Sequence, residues 1–305
     1  MPEPIEITFL GTGSSIPSVE RSHPAILLKY GPDYILFDCG EGTQVQMEKA
    51  KISPMKVDKI FITHWHADHF AGLLPLIETL HLSKRKEPLT IVGPDASRFM
   101  DSIIELSYWG IGFETKIKDC TKNNQLVFSN DKYEITAVKT RHNVPSFGFV
   151  FKEKDHWNID MKKANRFGLS GVNVKKIKEK GKITIKGKTV LLKDVASMTK
   201  GRKIIYSGDT LISKNLFEAS RDADLLIHDG TFLEKIHRKI NKNFVKSRSH
   251  ATVEEVAVMA KKYNVKKLVL VHLSRRYKTN TQILREAKKY FKNVKVPKDI
   301  EKIIL

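Results

Sequence analysis

Thiols are scarce in this chain. Only Cys39 and Cys120 occur in 305 residues, far apart in sequence. Two such cysteines exclude a disulfide framework and a thiolate metal site, and they fit a reducing cytoplasm. Long apolar runs are missing as well: no stretch approaches the roughly 20 residues of a membrane helix. The opening Met1-Pro2-Glu3-Pro4-Ile5-Glu6 lacks the basic-then-apolar order of a signal peptide. Proline does not occur between Pro145 and Pro297. Acidic residues are short in supply: 34 Asp or Glu face 54 Lys or Arg, for a net charge of +20. That balance points to a polyanionic partner, nucleic acid before an anionic membrane surface. A lysine-rich thermophile surface would carry acidic residues in step. The excess is also local, because residues 152–203 hold sixteen Lys or Arg against five Asp or Glu.

What is abundant is histidine in one place. Thr63-His64-Trp65-His66-Ala67-Asp68-His69 follows the apolar run Lys59-Ile60-Phe61-Ile62, which reads as a buried strand. It precedes Phe70–Leu80, where Leu73, Leu76, Ile77 and Leu80 keep a helical period. Three imidazoles and a carboxylate therefore share a strand-to-helix turn that can aim them at one point. Neutral imidazole and carboxylate oxygen are the usual non-thiolate ligands of zinc. Packing has no use for them there, because His and Asp are poor core fillers.

The rest of the chain alternates strands and helices, which predicts an α/β layered domain. Residues 5–10 read as a strand, and Gly11-Thr12-Gly13-Ser14-Ser15 as a tight turn without the lysine of a phosphate loop. Residues 25–28 and 34–37 form a hairpin around Gly31-Pro32-Asp33. Helices are expected over 43–50, 95–107 and 279–291, and Thr252-Val253-Glu254-Glu255 is a capping box that opens another. Residues 152–197 are Lys- and Gly-rich with no strong apolar stripe, so they read as an insertion projecting from the domain. Four expected strands, at 60–62, 133–138, 203–207 and 267–271, each end near a ligand-competent residue: His64, His142, Asp209 and His272. Strand ends are rigid mounts, so four of them can converge on one metal site. His23, His81, His156 and His237 fall outside any motif and read as ordinary surface or partly buried residues.

These stretches resemble the metallo-β-lactamase superfamily, and within it the ribonuclease Z family, which matures the 3′ end of transfer RNA. The resemblance is carried by Phe9-Leu10-Gly11-Thr12-Gly13, by Phe37-Asp38-Cys39-Gly40-Glu41-Gly42-Thr43-Gln44 and by the His64–His69 motif. It continues through His142-Asn143-Val144-Pro145-Ser146-Phe147-Gly148, Tyr206-Ser207-Gly208-Asp209-Thr210, Ser249-His250-Ala251-Thr252 and His272-Leu273-Ser274. The His motif alone marks only the superfamily; the stretch at 37–44, the Val-Pro-Ser-Phe-Gly run and the Ser-His-Ala-Thr element narrow it.

The resemblance implies an α/β fold, a four-layer αβ/βα sandwich formed by a single catalytic domain over residues 1–305, with residues 152–197 as an inserted, flexible, basic arm that grips transfer RNA. It implies two zinc ions per subunit. His64, His66 and His142 would hold the first, and Asp68, His69 and His272 the second, with Asp209 bridging. Asp68 would orient or deprotonate the attacking water, and His250 would give a proton to the leaving oxygen. Asp38 reads as a structural carboxylate of the motif. Asp229-Gly230 stands where many members carry Glu-Ala, so Asp229 acts behind the ligands if at all. Arg275 and Arg276 add a phosphate-binding candidate near the metals. The family is typically homodimeric. The implied activity is a zinc-dependent endoribonuclease that cuts precursor transfer RNA and leaves a 3′-hydroxyl on it. The competing readings are a small-molecule hydrolase or phosphodiesterase of the same fold, which needs no basic arm, and a non-catalytic RNA-binding relative, which would be expected to lose ligands.

Overall fold

The computed structural model describes residues 3–107, 110–185, 187–233, 249–277 and 279–305. Its strands in chain order begin with β1 Ile5–Gly11, β2 Ala25–Tyr30, β3 Asp33–Phe37, β4 Lys59–Phe61, β5 Leu89–Gly93 and β6 Thr115–Asp119. Next come β7 Gln125–Ser129, β8 Tyr133–Lys139, β9 Phe147–Glu153, β10 His156–Ile159, β11 Lys182–Ile185, β12 Lys188–Leu191 and β13 Ala196–Thr199. The last are β14 Lys203–Tyr206, β15 Leu225–Asp229, β16 Leu268–Val271, β17 Val294–Lys295 and β18 Lys302–Ile304. The chain divides into two compact units.

The larger unit holds two seven-stranded sheets, ordered β18-β1-β2-β3-β4-β5-β6 and β17-β16-β15-β14-β9-β8-β7. β2 and β3 form the expected hairpin, antiparallel across Gly31 and Pro32. From β3 to β6 the strands run parallel, so each step needs a crossover, supplied by the helices Thr43–Lys49, Leu73–Leu82 and Ala96–Leu106. The second sheet repeats the device from β14 to β17 with the helices Lys214–Ala219, Val253–Lys262 and Thr281–Lys288. One core packs Leu73, Leu76, Ile77 and Leu80 against the first sheet. Another packs Val253, Val256, Ala257 and Ala260 against the second. Aromatic rings fill the space between the sheets: Phe37 and Phe61 of the first lie 6.1 and 5.2 Å from Phe149 of the second. The result is helices, sheet, sheet, helices: the four layers the resemblance implied. Deleting the fully buried Phe149 ring would cost about 3–5 kcal/mol.

Thr252 caps its helix as expected, with its hydroxyl accepting from the Glu255 N–H and Glu255 accepting from the Thr252 N–H. The helix expected after the histidine motif is interrupted. Ala67–Phe70 is a single turn, and a new helix starts at Leu73 after Gly72. A β-carbon on Gly72 would meet the Gly40 carbonyl at 2.1 Å, so close backbone approach sets the break.

The smaller unit, Asn130–Glu134 with Lys152–Arg202, has a core of its own although residues 152–197 carry no strong apolar stripe. Ala164, Leu169, Ile177, Val190, Leu192 and Val195 are buried together, with Trp157 and Ile159 packed on them. β10 pairs with β13, β11 with β12, and short helices lie between. Each short element contributes one or two apolar residues, so no single stripe betrays the core. Arg202 closes the unit with a bidentate pair to Glu153 at 2.9 and 3.0 Å.

Candidate metal centre

Every expected ligand sits just past a strand end. β4 runs into Thr63 and His64, and the turn carries His66 into the one-turn helix bearing Asp68 and His69. β8, β14 and β16 lead to His142, Asp209 and His272. All seven fall into two adjoining groups. In the first, His66 Nδ1 lies 3.0 Å from His64 Nε2 and 3.2 Å from His142 Nε2. In the second, His69 Nε2 lies 3.3 Å from Asp209 Oδ1 and 3.5 Å from Asp68 Oδ2. His272 Nε2 lies 3.1 Å from Asp209 Oδ2 and 3.3 Å from Asp68 Oδ2.

Hydrogen bonds behind the groups set which ring nitrogen points inward. Asp38 accepts from the Thr63 N–H at 2.8 Å, the Thr63 hydroxyl at 3.0 Å and the Tyr206 hydroxyl at 2.7 Å. The single Thr63 proton goes to Asp38, so the hydroxyl accepts from His64 Nδ1 at 3.0 Å and leaves His64 Nε2 a bare lone pair. His69 Nδ1 donates directly to Asp38 at 2.7 Å, which turns Nε2 inward. The same order recurs on the other side. Thr231 donates to Asp229 and accepts from His272 Nδ1 at 2.8 Å. His142 Nδ1 donates to the Ser249 carbonyl at 3.1 Å. Such partners orient metal-binding imidazoles and fix their tautomers.

Electrostatics agree. Burial pushes the His64 imidazole well below its ordinary range, with His69 adding to the effect, and burial also lowers His66 and His142. These rings are neutral, as cation ligands must be. Burial opposes charge on Asp209, but His272 and His69 outweigh it and hold the carboxylate well below its usual range. Asp68 is lowered likewise, burial being outweighed by the His272 hydrogen bond and His69. His69 moves up: burial disfavours its charge, yet Asp209 and Asp38 prevail. Two central buried atoms, His69 Nε2 and Asp209 Oδ1, face each other at 3.3 Å and have no other hydrogen-bond partner. Buried polar atoms are normally paired, and a cation would satisfy both at once. The donor set of imidazole nitrogens and carboxylate oxygens fits divalent first-row metal ions.

His250 stands where the two groups meet, its ring stacked on His272 at 5.3 Å and 5.6 Å from His142. Its Nδ1 donates to Asp229 Oδ2 at 2.6 Å, so Nε2 is the outward atom. Burial works against a proton on this ring, but Asp229 and then Asp209 raise it to about 9. Asp229 and His250 also complete a third His/Asp group with Asp209 and His272. The 2.6 Å contact there is a charge-assisted hydrogen bond. Beside His250 and His272 opens a cavity of about 140 Å³, lined also by Ser14, Ser15, Phe232, Ser274, Arg275 and Arg276.

Sequence reasoning left Thr63, Thr231 and Tyr206 unassigned. The available signal was a hydroxyl directly before one ligand histidine, and another two residues after a buried acid. His23 is buried at 8% exposure, against the surface or partly buried reading. His81 accepts from the Gly112 N–H at 2.9 Å, and His237 lies outside the described residues.

Two family models tile most of the chain: "Anti-Pycsar protein Apyc1" over residues 5–166 and "Beta-lactamase superfamily domain" over residues 160–273. The chain is 40% identical to the ribonuclease Z of Pyrococcus horikoshii over 99% of its length and 96% of the relative's. It is 42% identical to that of Thermococcus sibiricus, covering 93% and 91%. Among solved structures, human tRNase Z, short form, superposes with a TM-score of 0.69 at 28% identity over 98% of both chains. A metallo-beta-lactamase fold protein of Bacillus subtilis, 20% identical and covering 99% and 100%, shares the fold at a TM-score of 0.70. With the relatives matched nearly end to end and the ligand groups complete, the chain belongs to the ribonuclease Z family.

Proposed function

We propose that the chain is a zinc-dependent endoribonuclease that removes the 3′ trailer from precursor transfer RNA and leaves a 3′-hydroxyl on the transfer RNA. One observation carries the reading: two complete ligand groups adjoin a hydrogen-bonded His250–Asp229 pair in a chain about 40% identical to proteins named ribonuclease Z. His64, His66 and His142 would hold one zinc, and Asp68, His69 and His272 the other, with Asp209 the carboxylate the two would share. Bound zinc supplies Lewis acidity toward the phosphate oxygens and an acidified water at neutral pH.

The chain's own groups do the rest. Asp68, kept ionised by its histidine neighbours, takes the proton of the attacking water. As the water oxygen bonds to phosphorus, the bond from phosphorus to the 3′ oxygen breaks. His250, charged at neutral pH, gives its Nε2 proton to that oxygen, and Asp229 holds the ring in place. The products are a 3′-hydroxyl and a 5′-phosphate. Arg275 and Arg276, at the cavity beside His250, suit the phosphates flanking the cut.

The smaller unit is read as the transfer RNA-binding arm. Lys176, Lys180 and Lys182 line a groove of about 360 Å³ with Thr184 and Thr189, a surface suited to backbone phosphates. A homodimer, as in the family, and a cytoplasmic setting complete the reading. Both cysteines are free and buried, and no helix among the described residues is long and apolar enough to cross a membrane. Competition kinetics test it. Precursor transfer RNA should be cut with kcat/KM orders of magnitude above a small phosphodiester such as bis(p-nitrophenyl) phosphate. Equal efficiency on the two would instead identify a small-molecule phosphodiesterase.

A further inference from the structure

Asp299 lies beyond every motif, close to the C-terminus, yet its carboxylate is gripped by donors from three other segments. Oδ1 accepts from the Thr12 N–H at 3.0 Å and the Thr12 hydroxyl at 2.7 Å. Oδ2 accepts from the Ser22 N–H at 2.6 Å and from Gln46 Nε2 at 3.0 Å. Arg21 braces the same cluster, donating to the Thr12 hydroxyl, to the Pro297 carbonyl at 3.1 Å and to Asn280 Oδ1 at 2.7 Å. This is a dense polar clamp for a half-buried surface segment.

The clamp's other end is the metal centre. The Thr12 carbonyl accepts from the Leu273 N–H at 3.0 Å, and the Ser14 N–H donates to the Leu273 carbonyl at 3.2 Å. Gly13 and Leu273 thus form a parallel bridge directly after His272. His272 has φ of +57°, a left-handed backbone that residues with a β-carbon adopt only under constraint. Thr231, whose hydroxyl accepts from His272 Nδ1 at 2.8 Å and lies 2.9 Å from the His272 carbonyl, holds one side of that residue, and the 12–14 segment holds the other. Among the described residues, no hydrogen bond joins the 12–14 segment to His64, His66 or His142.

We infer that Asp299 is a positioning residue for the reaction: through Thr12 and the bridge to Leu273 it keeps His272 in the left-handed turn that aims Nε2 at Asp68 and Asp209. The inference rests on the two-metal reading above and localises its effect. Releasing Thr12 lets His272 relax, which loosens the second ligand group and leaves the first intact.

The test counts zinc by elemental analysis in full-length protein dialysed against metal-free buffer, and measures kcat and KM on precursor transfer RNA. The variants are Asp299→Ala and the near-isosteric Thr12→Val, so a folding failure of the first leaves the second to decide. Glu301→Gln is the control: it loosens the same C-terminal segment, through Lys295 and the Lys298 N–H, without touching residues 12–14. Asp299→Ala and Thr12→Val are expected to keep about one zinc per chain, with kcat down about tenfold and KM within about twofold. Glu301→Gln should keep two and wild-type turnover. Two zincs and unchanged kcat in the clamp variants, or an equal loss in Glu301→Gln, would overturn the inference. A wild-type chain that itself keeps one zinc would overturn the two-metal reading beneath it.

Discussion

A carboxylate, a threonine hydroxyl and an imidazole are linked in the same order on both sides of the centre, as Asp38–Thr63–His64 and Asp229–Thr231–His272. The relay makes the histidine tautomer a property of the fold. Thr63→Val removes it while preserving shape, and zinc affinity should fall about 10- to 100-fold, read by competition with a chromophoric chelator. Asp68→Ala should cut turnover by orders of magnitude with transfer RNA affinity retained in a gel-shift assay; near-normal rates would remove Asp68 from its assigned role. His250 gives a signed pH dependence. With His250 in its proposed role as the acid, activity is lost as pH rises through its pKa, near 9 here. Asp229 is the largest influence raising that pKa, so Asp229→Asn should move the alkaline limb of the kcat profile to lower pH. An unmoved limb would mean that another group donates the proton.

At the level of elements, loops from the two sheets approach closely enough that side chains are excluded. A β-carbon on Gly208, at φ +58°, would meet the Thr63 side chain at 2.6 Å. Gly208→Ala should therefore reproduce the loss of zinc affinity of Thr63→Val, since it displaces the same hydroxyl. Most of the strand ends were legible in the sequence. A buried strand followed by a ligand-competent residue is a local signal, and His142, Asp209 and His272 each carry it. The partners behind them were less legible. Tyr206 reaches Asp38 across 168 residues of sequence and Asp299 reaches Thr12 across 287, contacts that no local period announces. The small core of residues 152–202 was not legible for a related reason: its six buried side chains are dealt one or two at a time among short elements and the turns between them. Because that unit has its own core, replacing residues 155–200 by a short Gly-Ser link should remove it cleanly. The product should bind transfer RNA more weakly and with a flatter salt dependence, yet still hydrolyse a small phosphodiester. Loss of both activities would assign the segment to the catalytic core.

Over the whole molecule, the +20 net charge and the buried acidic pocket divide the work. In the proposed function, basic surface gathers the polyanion and the few buried carboxylates gather the cations. Without metal, Asp209 and Asp38 outweigh burial and favour a proton on His69. Zinc must displace that proton, so affinity should weaken as pH falls, by up to about tenfold per pH unit for each proton released. Chelator competition across a pH series measures it, and a pH-independent affinity would contradict the protonation scheme. The decisive observation is the chemistry of the cut itself. Trailer-bearing precursor transfer RNA is incubated with zinc-loaded and zinc-stripped protein, and both new ends are mapped. One cut at the 3′ boundary, with a 3′-hydroxyl on the transfer RNA and a 5′-phosphate on the trailer, lost on stripping and restored by zinc, is the expected result. An uncut precursor, scattered cuts or a 3′-phosphate on the transfer RNA would contradict it.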